Sequence, residues 1–414
     1  MNPILPLQHF VPDGEAREMP DGRLYLYGSY DISGDYTYCS EVLHVFSTDD
    51  LIHWEDHGVA FSCEDVPWVA NGAMLYAPDC IHRDGKYYLY FCLSDGSEGM
   101  AVSESPAGPF GDPVRMELNG NDGIDPAVFI DDDGQAYYFW GQFRLMGAKL
   151  NPDMATLDME SITTNIIDEQ RHGFHEGASV RKYNGKYYLV YTDISRGRAT
   201  CMSYAVAENP LGPYTKGGVI VDNTGCDPQT WNDHGSIASY KDSWYVFYHR
   251  SSQNSKFNRR MCVEPIQFDA DGKIAEVTMT TQGVEGPLKA SEELEAARAC
   301  RLGYGAYIYP ISEGVEVVGH LAHRAWMAYR YLEFNGETAC ELVGASATGG
   351  GKVEIWADGD LIGVCEIPCT GGWQKWQTMS CEVKPVHGVT ALFLVLQGKD
   401  AERKVMELKT IRFK

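Results

Sequence analysis

The chain repeats one short phrase five times, and this repeat limits the possible folds more than any other feature. Each copy joins a tight-turn dipeptide to a Tyr-rich, alternating strand, as in the second half of a β-hairpin. The copies span residues 21–31, 84–95, 133–142, 184–193 and 241–250. Their turns lie 49 to 63 residues apart, a period typical of propeller blades, because one hairpin cannot bury its own apolar face. With no helical pattern between the copies, the sequence predicts a five-bladed β-propeller of four-stranded blades over residues 1–290.

One position recurs at a fixed distance from each turn. Nine residues before the turn Gly of the first four copies lie Asp13, Tyr76, Asp125 and Glu176, and His234 holds the equivalent place in the fifth. If the following apolar strands are innermost in their blades, these side chains meet at one mouth of the propeller axis. Three clustered carboxylates repel one another, so at least one pKa rises and an acid and a base can coexist. We therefore expect the active site at this mouth.

Several ordered motifs resemble the five-bladed propeller of glycoside hydrolase family 43. The axial motifs lie at 2–6, 11–14, 76–79, 123–134, 175–180 and 233–237, and the outer-strand phrases at 47–58, 105–110 and 209–214. The resemblance covers the chain from about residue 2 to about residue 285, and the order of the motifs makes it specific. It implies an enzyme that hydrolyses glycosidic bonds with inversion.

The resemblance assigns three carboxylates to catalysis. Asp13 stands at the position of the general base and Glu176 at that of the general acid, while Asp125 would tune the acid and orient the sugar. Inversion requires the acid and base carboxyls to stand about 6.5–9.5 Å apart, so that water fits between them and the sugar. Two positions depart from the family pattern: Gly14 follows the base where Pro is usual, and Tyr76 replaces a more usual Trp. Neither departure removes a catalytic carboxylate.

Five further residues are interpreted as walls of the site. Arg250 matches a family Arg that would hydrogen-bond sugar hydroxyls and hold the base ionised, with a surface salt bridge as the alternative. His234 matches an axial His that can lie near one Ca²⁺ ion through bound water, although calcium prefers oxygen ligands and a core histidine is the alternative. His175 would line the pocket. Trp68 and Trp140 fit pocket walls and core packing equally well.

A second β-rich domain is predicted after the propeller. Residues 291–299 are polar and are interpreted as a linker or short helix. From residue 300 to residue 414, short strands with regular turn signals predict a jelly-roll-like β-sandwich. The segments 349–363 and 370–398 resemble carbohydrate-binding module family 6. The near-terminal Asn that can grip sugar in that family is absent, so a packing role is favoured over sugar binding.

Bulk composition excludes several partners. A net charge of −24 repels nucleic acid and anionic membranes, so neither is predicted as a partner. The first residues show no secretory signal or membrane segment. The twelve cysteines form no C-x-x-C pair or zinc pattern, so we expect reduced thiols and a cytoplasmic location. No organic cofactor is predicted, and the oligomeric state is left open.

The predicted function is exo-acting, inverting hydrolysis that releases terminal α-L-arabinofuranose from arabinoxylan-type oligosaccharides of the plant cell wall. β-Xylosidase or dual activity is the nearest alternative. A propeller glycoside phosphorylase would need several cations at the mouth to hold phosphate, and the motif ring offers only Arg250 and His234. A lectin without catalysis has no need for three carboxylates at one register. Hydrolysis is therefore the favoured reaction.

Overall fold

The computed structural model describes residues 1–69, 72–120, 123–400 and 403–414, and strands dominate these ranges. Five small sheets are followed by two six-stranded sheets. The small sheets are the blades of a five-bladed propeller and the large ones form a β-sandwich, so the predicted fold class is confirmed. Short helical turns interrupt the strands at α1 (Glu169–His172) and at three 3₁₀ turns, Cys63–Asp65, Met159–Ser161 and Ala296–Arg298. Within the described ranges, none of the helices is both long and apolar enough to cross a membrane.

The propeller strands follow one another from the axis outwards. Blades 1 and 2 contain β1 (Glu15–Glu18), β2 (Leu24–Tyr27), β3 (Val42–Thr48), β4 (Trp54–Ser62), β5 (Leu75–Arg83), β6 (Lys86–Leu93), β7 (Glu98–Ser103) and β8 (Gly111–Arg115). Blade 3 contains β9 (Ala127–Ile130), β10 (Ala136–Trp140) and β11 (Met146–Lys149). Blades 4 and 5 contain β12 (Phe174–Tyr183), β13 (Lys186–Asp193), β14 (Cys201–Ala207), β15 (Thr215–Asp222), β16 (Ser236–Tyr240), β17 (Ser243–Ser252) and β18 (Ser255–Ile266). The innermost strands β1, β5, β9, β12 and β16 contact one another around the axis, and β1 closes the ring against β16.

Three of the five turns adopt the type I′ conformation that the sequence predicts, and in the first and third copies only the turn glycine has positive φ. Asp84 and Gly85, between β5 and β6, have φ values of 50° and 79°, and Asn184 and Gly185 have 47° and 77°. Positive φ at both central residues defines a type I′ turn, whose twist matches that of the flanking strands. Each such turn therefore fixes the register of the first two strands of its blade.

Blades 3 and 5 have three regular strands each, so the prediction of four strands in every blade is wrong for these two. Their outer edges are covered by irregular segments instead. In blade 3, isolated bridges join Gly147 to Thr163 and Leu150 to Leu157. In blade 5, the N-terminal segment lies along β18, where the Asn2 side chain exchanges two hydrogen bonds with Val263 at 3.0 and 2.9 Å. A covered edge satisfies the outermost backbone groups without a fourth strand.

The sandwich is built from two sheets that face each other across one core. One sheet has the order β19 (Leu288–Lys289), β24 (Trp326–Asn335), β29 (His387–Gln397), β26 (Gly351–Ala357) and β27 (Asp360–Ile367), with β21 (Arg301–Gly303) paired to β24. The other has the order β22 (Tyr307–Ser312), β23 (Val315–Leu321), β30 (Met406–Phe413), β25 (Ala339–Ala345) and β28 (Gln377–Glu382), with β20 (Leu294–Glu295) paired to β30. Strands β19 and β20 precede residue 300, so the segment interpreted as a linker contributes to the sandwich.

The two domains share buried structure. Cys300 and Ala328 of the sandwich belong to the same apolar cluster as Tyr188 and Tyr248 of the propeller. An ion pair of 2.8 Å also joins Arg260 of blade 5 to Glu316, and both side chains are at most 3% exposed. The two domains therefore stabilise each other through a shared apolar cluster and a buried ion pair.

We expect a truncated chain that ends at residue 286 to be less stable and less soluble than the full chain, because the apolar surface that the propeller shares with Cys300 and Ala328 becomes exposed. Melting temperature, soluble yield and pull-down by insoluble polysaccharide measure the effect. A soluble truncation that keeps the melting temperature and loses only polysaccharide binding would contradict this expectation.

Candidate active site

All five positions of the predicted register line one pocket. Its volume is about 210 Å³, and its walls include Asp13, Tyr76, Asp125, Glu176 and His234. The remaining lining residues are Tyr38, Cys39, Ile124, Gln142, His175, Trp231, Asn232 and Arg259. The structure therefore brings the three carboxylates together at one mouth of the axis, as the spacing from the turns predicts.

Asp13 lies just before β1 in a left-handed backbone conformation, with φ of 57°. Its Oδ2 accepts a hydrogen bond from Ser29 at 2.7 Å, and its Oδ1 accepts one from Arg259 at 2.9 Å. A Cβ at Gly14 would lie 2.4 Å from Met261 Cε and 2.8 Å from Leu26 Cδ1, so a larger residue there would require these side chains to move.

The electrostatic surroundings of Asp13 favour its ionised form. Burial alone would raise the pKa of this carboxyl, but the Arg259 guanidinium, a hydrogen bond with His249 and the nearby His234 outweigh burial and hold the pKa well below its usual range. A charged partner and donated hydrogen bonds stabilise the carboxylate more than burial penalises it. Asp13 is therefore available as a proton acceptor at neutral pH.

Arg259, on β18, is the arginine of this pocket, and the sequence analysis did not assign it. Its Nε and Nη2 donate to the two carboxylate oxygens of Asp31 at 2.9 and 2.8 Å, while Nη1 reaches Asp13. This fork holds the guanidinium plane fixed. The signal in the sequence is the Arg259–Arg260 pair, because neighbouring residues of a strand point to opposite faces of the sheet, so only one of the two can lie on the face that lines the pocket.

Arg250, the predicted substrate-binding arginine, is not part of the pocket. It is paired in register with Arg260 and faces the domain junction, where its guanidinium donates to the Thr280 carbonyl at 2.7 Å and lies 3.5 Å from Glu264. The prediction that Arg250 contacts substrate and holds the base ionised is therefore wrong in this structure. Strand alternation places it on the opposite side of blade 5 from Arg259.

Glu176 lies at the start of β12 and is held by two amide side chains. Gln142 donates to Oε2 at 2.7 Å and Asn232 to Oε1 at 3.2 Å. The next residue is Gly177, with φ of 69°, and a Cβ there would lie 2.6 Å from the His234 ring. Glycine thus allows the chain to turn tightly while His234 packs beneath the acid.

Asp125 is a buried carboxyl whose surroundings favour its protonated form. Its pKa is raised well above the usual value, first by burial and then by repulsion from Glu176 and Asp13. It lies before β9 with φ of 53°, and its Oδ2 accepts a hydrogen bond from the Gly177 amide at 3.1 Å. A neutral carboxyl in this position can donate a hydrogen bond to a sugar hydroxyl without adding a third charge to the pocket.

We expect Asp125→Asn to retain more activity than Asp125→Ala. Asn keeps an acceptor for the Gly177 amide and tolerates positive φ, whereas Ala does neither. The difference in kcat should be about tenfold or more, as for loss of one buried hydrogen bond at a charged site. Steady-state kinetics of the two variants measure it, and equal kcat values would show that the hydrogen bond to Gly177 does not position the site.

The other predicted wall residues divide into two groups. Tyr76 and His175 line the pocket, and His175 Nδ1 lies 2.9 Å from Glu169. Trp68 and Trp140 do not line it. Trp68 stacks on Phe91 with an interplanar angle of 10°, and Trp140 is fully buried in the cluster around blade 3.

An exposed tryptophan that the sequence analysis did not assign, Trp231, lines the mouth instead. Its side chain is 48% exposed. It lies in the loop before His234, and its position three residues before that axial histidine is the sequence signal that could have identified it. Tyr38, Gln142 and Asn232 were missed as well, because they lie on loops whose path the hairpin repeat does not determine.

His234 faces the base rather than a cage of oxygen ligands. Its Nδ1 lies 3.6 Å from Asp13 Oδ1. Among the described residues, no group of three His, Cys, Asp or Glu side chains is arranged to hold a metal ion. The residues present therefore do not fit a calcium ion coordinated directly by the protein, which would require several oxygen ligands. Calcium near His234 stays a prediction from the resemblance.

The cysteines take no part in this site as ligands or disulfides. All twelve lie within the described ranges and are free, and ten of them are buried. Cys39 is the lining cysteine, and burial raises the pKa of its thiol well above the usual value. These side chains act as small apolar groups in the core.

A five-bladed propeller that brings a buried, fixed carboxylate and a second carboxyl from another blade into one pocket has an arrangement suited to glycoside hydrolysis. The sequence matches the model of glycosyl hydrolases family 43 over residues 1–274 and that of carbohydrate-binding module family 6 over residues 296–414. The chain belongs to glycosyl hydrolases family 43.

Three similar proteins place the chain more closely. A xylosidase/arabinosidase of Bacteroides ovatus is 34% identical over 61% of this chain and 91% of its own length. An arabinoxylan arabinofuranohydrolase of Bacillus subtilis, solved with cellotetraose, is 25% identical with a TM-score of 0.57 over 100% of this chain and 97% of its own. A β-xylosidase/α-arabinofuranosidase from a compost microbial metagenome, solved with xylotriose in a calcium-free form, is 32% identical with a TM-score of 0.58 over 67% of this chain and 97% of its own.

Proposed function

We propose that this protein releases terminal α-L-arabinofuranose from arabinoxylan-type oligosaccharides by inverting hydrolysis. The observation that supports the proposal most is the contrast between two carboxyls of one small pocket. Asp13 is kept ionised by Arg259, while Glu176 is held by the neutral donors Gln142 and Asn232. One group is thus prepared to accept a proton and the other faces no cation among these hydrogen-bond partners.

The reaction would proceed in one displacement. Glu176 would donate its proton to the glycosidic oxygen as the bond to the anomeric carbon breaks. Asp13 would accept a proton from the water that attacks the same carbon from the opposite face, so the free sugar carries the inverted configuration. Asp125, protonated, would hydrogen-bond a sugar hydroxyl and hold the ring between the two.

The shape of the pocket supports cleavage at a chain end. A volume of about 210 Å³ holds little more than one sugar ring, and the exposed Trp231 and Tyr38 stand at its entrance. β-D-Xyloside cleavage is the second candidate, because the relative from Bacteroides ovatus is a xylosidase/arabinosidase. Phosphorolysis is disfavoured, because Arg259 is occupied by Asp13 and Asp31 and is not free to bind phosphate.

A panel of nitrophenyl glycosides tests the proposal. We expect the highest kcat/KM for the α-L-arabinofuranoside, a lower value for the β-D-xyloside and no turnover of the β-D-galactopyranoside. Addition of inorganic phosphate should leave the rate unchanged and give free arabinose as product. A preference for the xyloside would move the assignment to the second candidate, and arabinose 1-phosphate as product would overturn hydrolysis. A cytoplasmic location and plant cell-wall oligosaccharides as the natural substrate remain proposals from the sequence.

A further inference from the structure

A second cavity, lined by both polar and apolar groups, lies at the junction of the two domains. Its volume is about 280 Å³. We call it the junction groove and define it by Arg198, Thr224 and Thr230 of the propeller with Leu302 and Tyr304 of the sandwich. The two walls are joined by a hydrogen bond of 2.8 Å from the Leu302 amide to the Gly225 carbonyl. None of these residues takes part in the catalytic arrangement described above.

The junction groove opens on the same face of the propeller as the active site. Glu176 pairs with Thr192, near the start of β12 and the end of β13. At the same edge of blade 4, the last residue of β13 and the last residue of β15 both pair with Cys201, the first residue of β14. The loops 194–200 and 223–235 therefore emerge at the mouth that carries the catalytic carboxylates. Arg198 lies on the first loop and Thr230 on the second, and Arg198 donates to the Thr230 carbonyl at 3.3 Å.

Adjacent residues connect the two cavities. Thr230 lines the junction groove, and Trp231, the next residue, lines the active-site pocket. The loop that holds both residues therefore contributes to the walls of both cavities.

The groove carries the side chains that a sugar chain needs. Tyr304 is 60% exposed, and its ring is fixed by the Arg324 guanidinium, which lies 4.6 Å from the ring centroid and donates to the hydroxyl at 2.8 Å. A fixed, exposed aromatic ring offers an apolar platform with a polar tip. Arg198 makes no ion pair within the described ranges, so its free donors can bind ring hydroxyls.

We propose that the junction groove binds the main chain of the polysaccharide, a β-linked pentose chain, beyond the sugar that is cleaved. Tyr304 stacks on one of its rings, and Arg198 hydrogen-bonds its hydroxyls. The sandwich domain therefore contributes to substrate selection through the junction groove at its interface with the propeller rather than through a separate sugar site of its own. This inference rests on the proposed function, because it takes the arabinose-bearing chain as the ligand.

The test compares long and short substrates in the full-length protein. For each variant, kcat/KM is measured on an arabinoxylo-oligosaccharide with several main-chain xylose units and on nitrophenyl α-L-arabinofuranoside. The ratio of interest is kcat/KM on the oligosaccharide divided by kcat/KM on the nitrophenyl substrate. We expect Tyr304→Ala to lower this ratio by about tenfold, as truncation of a well-placed aromatic contact does. Arg198→Ala should lower it by a smaller factor. Melting temperatures report whether the variants are folded.

Trp373→Ala is the matched control. Trp373 lies in the same domain, is 37% exposed and also has a cation, Lys404, 4.3 Å from its ring, but it does not line the groove. We expect this variant to behave as wild type. An unchanged ratio in Tyr304→Ala, or an equal fall in Trp373→Ala, would overturn the proposal. If the wild type hydrolyses no arabinofuranoside, the proposed function fails, and calorimetry with linear xylotetraose on wild type and Tyr304→Ala then decides whether the groove binds the chain.

Discussion

Replacing Glu176 by Gln or Asp13 by Asn is expected to lower kcat by about 10²–10⁴-fold, the range supplied by general acid–base catalysis. Both substitutions keep the shape of the side chain, so the fold should survive. The loss of kcat in Glu176→Gln should be smallest on substrates with good leaving groups, because such groups depart with little help from a proton. Asp13→Asn should be equally impaired on all substrates, because every one of them requires an activated water.

Asp79→Asn is the control for these two variants. Asp79 is a fully buried carboxylate of the second axial motif, and it pairs with Arg17 at 2.7 Å outside the pocket lining. Its substitution should lower the melting temperature and leave kcat within tenfold of wild type. A loss of less than tenfold in Asp13→Asn on any substrate, or in Glu176→Gln on a substrate with a poor leaving group, would refute the acid–base assignment.

Arg259→Met is expected to have the second largest effect, on stability and on the pH profile together. It leaves Asp13 and Asp31 as buried carboxylates without their cation, which costs about 3–5 kcal/mol. The folded-state pKa of Asp13 is depressed mainly by Arg259 acting against burial, so removal of the guanidinium raises that pKa. Because the base must be ionised, the acidic limb of kcat/KM moves to higher pH.

Arg250→Met separates this role from a purely structural one. Arg250 is equally buried and lies near Glu264, but it faces the domain junction. The variant should be destabilised to a similar degree, with an unchanged pH profile in the folded fraction. Chemical denaturation and pH–rate profiles measure both quantities. A shift of the acidic limb in Arg250→Met, or none in Arg259→Met, would contradict the placement of the two arginines.

The axial site could be predicted because the repeat is local. A tight turn such as Asp84–Gly85 fixes the register of two adjacent strands. The equal spacing from these turns places Asp13, Asp125 and Glu176 in the same pocket at one mouth of the axis. Equivalent positions of successive blades then lie close together at the axis, independently of the conformation of the loops. This is why five positions, chosen only by their distance from a turn, line one pocket.

Features that depend on contacts distant in sequence could not be predicted in the same way. The outer edge of blade 5 is covered by Asn2, which lies 261 residues before its partner Val263. The difference between Arg250 and Arg259 depends on which face of blade 5 the sandwich covers. No sequence signal at Trp140 distinguishes a buried core position from a pocket wall, since tryptophan suits both.

In the proposed mechanism, Glu176 and Asp13 hydrolyse a terminal arabinofuranoside in a single inverting displacement. Proton NMR of the reaction mixture, recorded before the free sugar equilibrates, identifies the anomer that forms first. With an α-L-arabinofuranoside as substrate, we expect β-L-arabinofuranose as the first product. Appearance of the α anomer first would show a double displacement through a covalent intermediate and would contradict the roles given to both carboxylates.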